Sequence, residues 1–206
     1  MNIVAVAFRV TVVTLVLTGI IYPLAMTGAA QVLFPSRAHG SLVRDEKGKV
    51  VGSRLIGQAF TNPAYIQSRP SAAGSGYDAG ASSGSNFGPT SRKLADRAAA
   101  DEKRLIAENP DAGRPIPADL LTASASGLDP HISPAAAIWQ VPRVARARNV
   151  APDRIRAVVE AHIEGRELGF LGEPRVNVLE LNLALDRQFG KPAPAPKPAA
   201  PASTSS

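Results

Sequence analysis

Between Arg9 and Arg37 lie twenty-seven consecutive residues, Val10 to Ser36, without a charge. They are rich in Val, Leu, Ile, Ala and Thr, and about twenty such residues carry a helix across a bilayer core. Pro23, Gly19 and Gly28 are tolerated in membrane helices, where neighbouring groups re-satisfy the backbone. Thr14, Thr18, Gly19, Gly28 and Ala29 offer places for close helix packing. A cleaved signal peptide has a shorter apolar region of about 7–15 residues followed by a small-residue cleavage site. The stretch Thr27-Gly28-Ala29-Ala30 imitates such a site, yet the apolar run continues through Val32, Leu33 and Phe34. Residues 1–36 therefore read as an uncleaved, single-pass anchor.

Orientation is pulled two ways. Arg9 and the terminal amine face Arg37, Arg44, Lys47, Lys49 and Arg54 on the other flank, which by the positive-inside rule leaves the long C-terminal part in the cytoplasm. Long domains, however, translocate largely regardless of charge.

Residues 37–189 have the composition of one small mixed domain, α/β in the α+β sense. Ser41-Leu42-Val43 and Lys49-Val50-Val51 flank the polar Asp45-Glu46-Lys47-Gly48, which predicts a β-hairpin whose second strand extends towards Ile56. A long loop follows: twelve of the thirty-two residues from Thr61 to Arg92 are Gly or Ser. Phe60, Tyr65, Tyr77 and Phe87 interrupt it, and flexible linkers seldom carry so many rings, so the loop is expected to be pinned to the surface. Its Ser82-Ser83-Gly84-Ser85-Asn86 run lacks the Lys and glycine spacing of a phosphate-binding loop.

Helices are predicted from Ser91 to Asn109, from Pro134 towards Asn149 with a break near Gln140 imposed by Pro142, and from Pro152 to Gly165 with Ile155, Val158, Val159 and Ile163 inward. The charge run Asp96 to Arg104 reads as a solvated face. Arg143 and Arg146, three apart, could meet phosphates or an acidic partner but read more simply as solvated. Alternation at Leu179, Leu181, Leu183 and Leu185 suggests a strand, but Asn177 with Glu180 resembles a capping box, and a helix to Phe189 is preferred. From Lys191 onward ten of sixteen residues are Pro or Ala, so a disordered tail is expected over 190–206.

The central stretch, Leu121 to Asn149, concentrates small and turn-forming residues. Ser124, Ser126 and Gly127 can form a concave turn, and Ser133-Pro134 is a good N-cap and first helical residue. A polar loop feeding a helix N-terminus is a possible anion or partner site. Other chemistries fit less well. The absence of cysteine excludes disulfides and thiolate metal sites. His39, His131 and His162 show no ligand spacing, so no metal is expected. The net charge of +6 is spread out and no nucleic-acid motif accompanies it, which argues against nucleic-acid binding. Ser126, Asp129 and His131 supply hydrolytic-triad residue types, but without a nucleophile elbow; a membrane-tethered hydrolase using Ser126/His131 is the alternative reading.

Three blocks resemble one family throughout. They are Gly57-Gln58-Ala59-Phe60 through Tyr65, Arg69-Pro70-Ser71 and Tyr77 to Gly84-Ser85-Asn86-Phe87-Gly88-Pro89; then Leu121 to Pro134 with Gln140 and Arg143 to Arg148; and finally Leu171 to Leu179 with Leu181 to Asp186. In this order, behind one membrane helix, they are similar to the C subunit of the Kdp-type potassium-transporting ATPase, the KdpC family. The resemblance implies a non-catalytic accessory subunit of a bacterial inner-membrane potassium pump. It further implies assembly with a potassium-selective channel-like subunit, a P-type ATPase subunit and a small single-helix subunit. The family has been described as a catalytic chaperone that raises the pump's ATP affinity, its second block likened to an ATP-binding signature loop. Carried over, ATP is the implied cofactor, and Ser124, Ser126, Gly127 and Gln140 are its candidate contacts. Ala125 stands where that loop usually has Gly. The family's soluble domain is understood to be periplasmic, on the side away from ATP.

Overall fold

The computed structural model describes residues 2–45 and 47–193, so the expected tail lies outside the described residues from 194 onward. The chain divides into two compact units between Ser53 and Arg54.

The first unit opens with helix α1 (Ile3–Leu33), 31 residues that include an 18-residue stretch with a mean hydropathy of 2.3, long and apolar enough to cross a membrane. Its apolar side chains are exposed along its length, as a lipid-facing surface requires. Asn2 caps it, accepting from the amide of Val4 at 3.3 Å. Pro23 has no N–H, and its ring would collide with the carbonyl four residues earlier in a regular helix. The turn before it, Leu17–Ile21, opens into a π-helical turn that makes room for the ring. The threonine hydroxyls need no solvent: Thr14 donates to the Val10 carbonyl at 2.8 Å and Thr18 to that of Thr14 at 2.7 Å.

After one helical turn at Pro35–Ala38 comes the hairpin of β1 (Leu42–Arg44) and β2 (Val50–Ser53), antiparallel with a bulge after Val43. The Asp45 carboxylate accepts from the amides of Lys47 and Lys49 at 2.9 and 3.0 Å, closing the turn. The second strand ends at Ser53, short of the expected Ile56.

The second unit contains α2 (Arg92–Glu108), β3 (His131–Ile132), α3 (Pro134–Trp139), α4 (Val141–Arg148), α5 (Pro152–Ala161), β4 (Ile163–Glu164), β5 (Arg175–Asn177) and α6 (Val178–Phe189). The three strands form one antiparallel sheet with β5 in the centre, Val176 facing Ile132 on one side and Ile163 on the other. The core gathers Ile132 and Val176 from the sheet with Val141, Val144, Ile155, Val159, Leu181 and Leu185 from the helices. Ile163, expected on the inward face of a helix, belongs instead to β4: α5 stops at Ala161, and the chain turns to pair with β5.

Two sequence features set the helix geometry. Pro142 removes the amide that would continue α3, so the chain breaks at Gln140 and restarts as α4. In α6 the cap overrides the alternating leucines. Asn177 accepts from the Glu180 amide at 3.2 Å, and Val178, Leu181, Asn182 and Leu185 are buried at helical spacing while Leu183 is only half-buried.

Asn177 also donates to the carbonyl of Arg54 at 2.9 Å, from a side chain that is itself buried. Asn177→Ala removes the cap and leaves that carbonyl unpaired. A loss of about 1–3 kcal/mol in unfolding free energy is expected, read from a denaturant titration of the detergent-solubilised full chain.

Candidate functional site

Residues 63–67 belong to no helix or strand, yet Ala64 and Ile66 are buried, so their backbone groups need partners inside the protein. Side chains supply them. Asn182 receives the Ile66 amide and donates to the Ile66 carbonyl, both at 2.8 Å. Gln140 does the same for Gln67, accepting from its amide at 2.8 Å and donating to its carbonyl at 3.1 Å. Arg143 donates to the carbonyls of Pro63 and Tyr65, and Arg148 to that of Ala64 at 2.7 Å. Two carboxamides and two guanidiniums from α4, α6 and the α3–α4 junction thus clamp one irregular segment.

Gln140 is 0% exposed. Its oxygen also accepts from Arg143 Nη2 at 2.6 Å and its nitrogen also donates to the Ala136 carbonyl at 3.2 Å, so all four of its hydrogen-bonding positions are filled. Arg143, expected among solvated arginines, is buried, and its Nε donates to Asn109 Oδ1 at 2.9 Å. Burial pulls its guanidinium down to about 10, still cationic at neutral pH. The Arg146 guanidinium, by contrast, stays half-exposed and pairs with Asp111. Arg148 pairs with Asp186 at 2.8 Å, both nearly buried, and lies 5.1 Å over the Tyr65 ring. Burial and the hydrogen bond to Asp186 push the Tyr65 hydroxyl up to about 12.

The serine turn is a separate place. Ser124 Oγ accepts from the Gly127 amide at 2.9 Å, Ser126 Oγ from the Leu128 amide at 3.1 Å, and the two hydroxyls lie 3.4 Å apart. The Gly/Ser loop packs onto this turn. Ser83 donates its amide to the Ser126 carbonyl at 3.0 Å, and Ser71 its hydroxyl to the Gly127 carbonyl at 2.6 Å. Gly127 has φ +67°, and a Cβ there would lie 2.6 Å from the Ala73 amide nitrogen and 2.7 Å from the Ser83 carbonyl oxygen. The rings pin the loop as expected: Phe60 and Tyr65 are 5.7 Å apart, Tyr77 donates to the Arg69 carbonyl, and Arg97 lies over Phe87.

Beside the turn an open cleft of about 630 Å³ is lined by Leu55, Ile56, Arg69, Ser124, Ser126 and Asp129. Asp129 pairs with Arg69 at 2.9 Å and accepts from the His131 amide at 3.0 Å. Burial alone would raise this carboxyl, but its bonds with His131 and the Arg69 charge outweigh that and hold it below the usual carboxylate range. The start of α3 is already supplied with an anion, because Asp119 accepts the Ser133 amide at 2.7 Å while Ser133 caps the Ala136 amide at 3.0 Å.

The four nucleotide candidates therefore fall in two places, and their amide donors are committed: those of Gly127 and Leu128 to the serine hydroxyls, and that of Gln140 to backbone carbonyls. As folded, these residues do not fit a phosphate cradle. Nor is there a triad: Ser126 bonds within its turn, while His131 Nδ1 lies 3.7 Å from Asp129. Among the described residues no cluster suits a metal ion.

The family model for the K+-transporting ATPase c chain, KdpC, matches residues 4–187. The chain belongs to the KdpC family. Potassium-transporting ATPase KdpC subunits from Myxococcus xanthus and Koribacter versatilis are 66% and 56% identical to it, over 89% of this chain and 87% and 94% of their own lengths. The corresponding Methylobacterium nodulans protein is 57% identical over 85% of this chain and 92% of its own. The family makes this chain a non-catalytic component of an ATP-driven potassium-uptake complex, which removes the tethered hydrolase built on Ser126 and His131.

The sequence did not single out Asn182 or Arg148 as clamps. An isolated Asn on the apolar stripe of α6 was the available sign, since a buried amide demands partners. Gln140→Leu preserves bulk but strands both backbone groups of Gln67 and one Arg143 donor; an unfolding free energy lower by about 3 kcal/mol is expected in denaturant titration. The Tyr65 hydroxyl has a higher pKa folded than unfolded, so its contribution is complete below about pH 10 and disappears as pH rises to about 12. Tyr65→Phe should flatten that alkaline loss in a pH series of melting temperatures.

Proposed function

We propose that this chain is an assembly and regulatory subunit of the potassium pump, anchored by α1 in the bacterial inner membrane with its second unit in the periplasm. Its partners there are the channel-like potassium-selective subunit, the P-type ATPase subunit and the small single-helix subunit. Any influence on ATP affinity is transmitted by coupling within the complex rather than by contact with the nucleotide. The observation that carries this reading is the saturation of Gln140. A fully buried carboxamide with every position filled serves to hold residues 63–67 in shape, and reaching a ligand with it means opening the core. The serine turn likewise spends its hydroxyls on its own backbone. A domain built this way presents a fixed surface to other subunits.

Side-specific labelling tests the reading. The chain has no cysteine, so Ser83→Cys reports without interference. An impermeant maleimide added to intact cells is expected to label it. Labelling only after lysis would place the unit on the side of ATP and overturn the periplasmic reading. The anchor gives a second check. A Cβ at Gly19 or Gly28 meets nothing within 4 Å inside this chain, so bulk there is felt only by a neighbour. Gly19→Leu is expected to reduce the other subunits recovered with a tagged chain, and unchanged recovery would argue against helix packing at that position.

A further inference from the structure

Among the described residues of the second unit, the loop joining β4 to β5 carries the two most exposed large apolar groups, Leu168 at 82% and Phe170 at 68%, with Leu171 at 49% beside them. This is an ordered tip. Glu167 and Leu171 exchange two backbone hydrogen bonds of 2.9 Å, and the amides of Gly169 and Phe170 bond back to Arg166 and Glu167. Closing so tight a turn places Leu168 at φ +52° and Gly169 at φ +83°. A leucine in the left-handed region is disfavoured, and here the residue gains no burial in return. Strain combined with apolar exposure on a rigid turn marks a contact surface.

The charges at the base of the turn indicate what covers it. Arg166 makes a two-pronged bond to Glu173 at 2.9 and 2.8 Å, while Arg175 meets Glu164 at 3.0 Å and Glu167 at 3.3 Å. Exposed pairs of this kind add little stability individually, but together they occupy both guanidiniums beside the tip and leave one negative charge in excess. Two arginines face three glutamates, and each guanidinium already has a carboxylate. An anionic bilayer surface attracts loops with cations to spare, and this collar has none. A rim with no spare cation around a preformed apolar knob instead matches an apolar pocket on another polypeptide, where a few central anchors carry most of the binding and the rim excludes water.

We infer that Leu168 and Phe170 form a docking knob that inserts into an apolar pocket, without negative charge at its rim, on another subunit of the potassium-transport complex. The inference rests on the assembly role proposed above and assigns part of that role to one turn.

Photo-crosslinking in the complete complex tests it. With Phe170→p-benzoylphenylalanine in the full chain, co-expressed with the other subunits, irradiation is expected to give an adduct with one of them, identified by mass. Leu168→Ser combined with Phe170→Ser is expected to lower the affinity of the chain for the complex about tenfold. The melting temperature of the isolated chain should hold, since both side chains are exposed. Adducts confined to lipid, or none, while the chain still co-purifies, would overturn the knob and leave the assembly role intact. Unaltered affinity of the double variant would also overturn it. Failure of the unsubstituted chain to co-purify would overturn both.

Discussion

A buried stretch of backbone without a strand beside it must find hydrogen-bond partners elsewhere, and residues 63–67 impose that constraint on the whole second unit. The surrounding helices meet it with side chains whose shapes match a peptide group. A carboxamide offers one donor and one acceptor side by side, so Asn182 and Gln140 each copy what a neighbouring strand would provide to Ile66 and Gln67. Arg143 and Arg148 bring several donors each and suit consecutive carbonyls. Desolvating two guanidiniums is costly. The cost is offset because Arg148 has Asp186 and Arg143 has four oxygen acceptors. Removing one member strands several groups together, so the clamp behaves as a unit.

From this clamp the Gly/Ser loop is led onto the serine turn. Approach there is limited by backbone against backbone: a Cβ at Gly57 would lie 2.5 Å from the Asp129 carbonyl oxygen, and one at Gly84 2.8 Å from that of Ala125. Two irregular segments therefore share one surface, held by hydroxyl-to-carbonyl bonds and by the absence of side chains at the points of contact. Within the turn the left-handed conformation falls on Gly127, while Ala125 lies outside the positive-φ positions and its methyl adds no backbone strain.

Features that depend on near neighbours in the chain could be read from the sequence. The uncharged run gave the long apolar helix, Ser133-Pro134 and Pro142 gave two short helices parted at Gln140, and Asn177 with Glu180 gave the start of α6. The four rings in a glycine-rich loop announced its pinning. The sheet could not be read in the same way. Strands of two or three residues, such as His131–Ile132 and Ile163–Glu164, are too short to show a period, and they exist because tertiary pairing with β5 holds them. Arg143 was misread for a related reason: a charged residue three positions from another has the pattern of a solvated face, and only the position of residues 63–67 turns it inward. The Leu121–Pro134 block was recognisable as a motif, but where its donors are spent depends on contacts across forty or more residues.

The bond between Asn177 and the Arg54 carbonyl has a mechanical side. Arg54 is the first residue of the second unit, and its guanidinium also grips Glu180 at 2.8 Å and Glu164 at 3.5 Å. The chain leaving the hairpin is thus riveted to the middle strand, its neighbour and the head of α6. A tug or twist arriving along the polypeptide at this point is delivered to the centre of the sheet instead of peeling away an outer loop, so the tether acts on the second unit as a handle fixed to its frame.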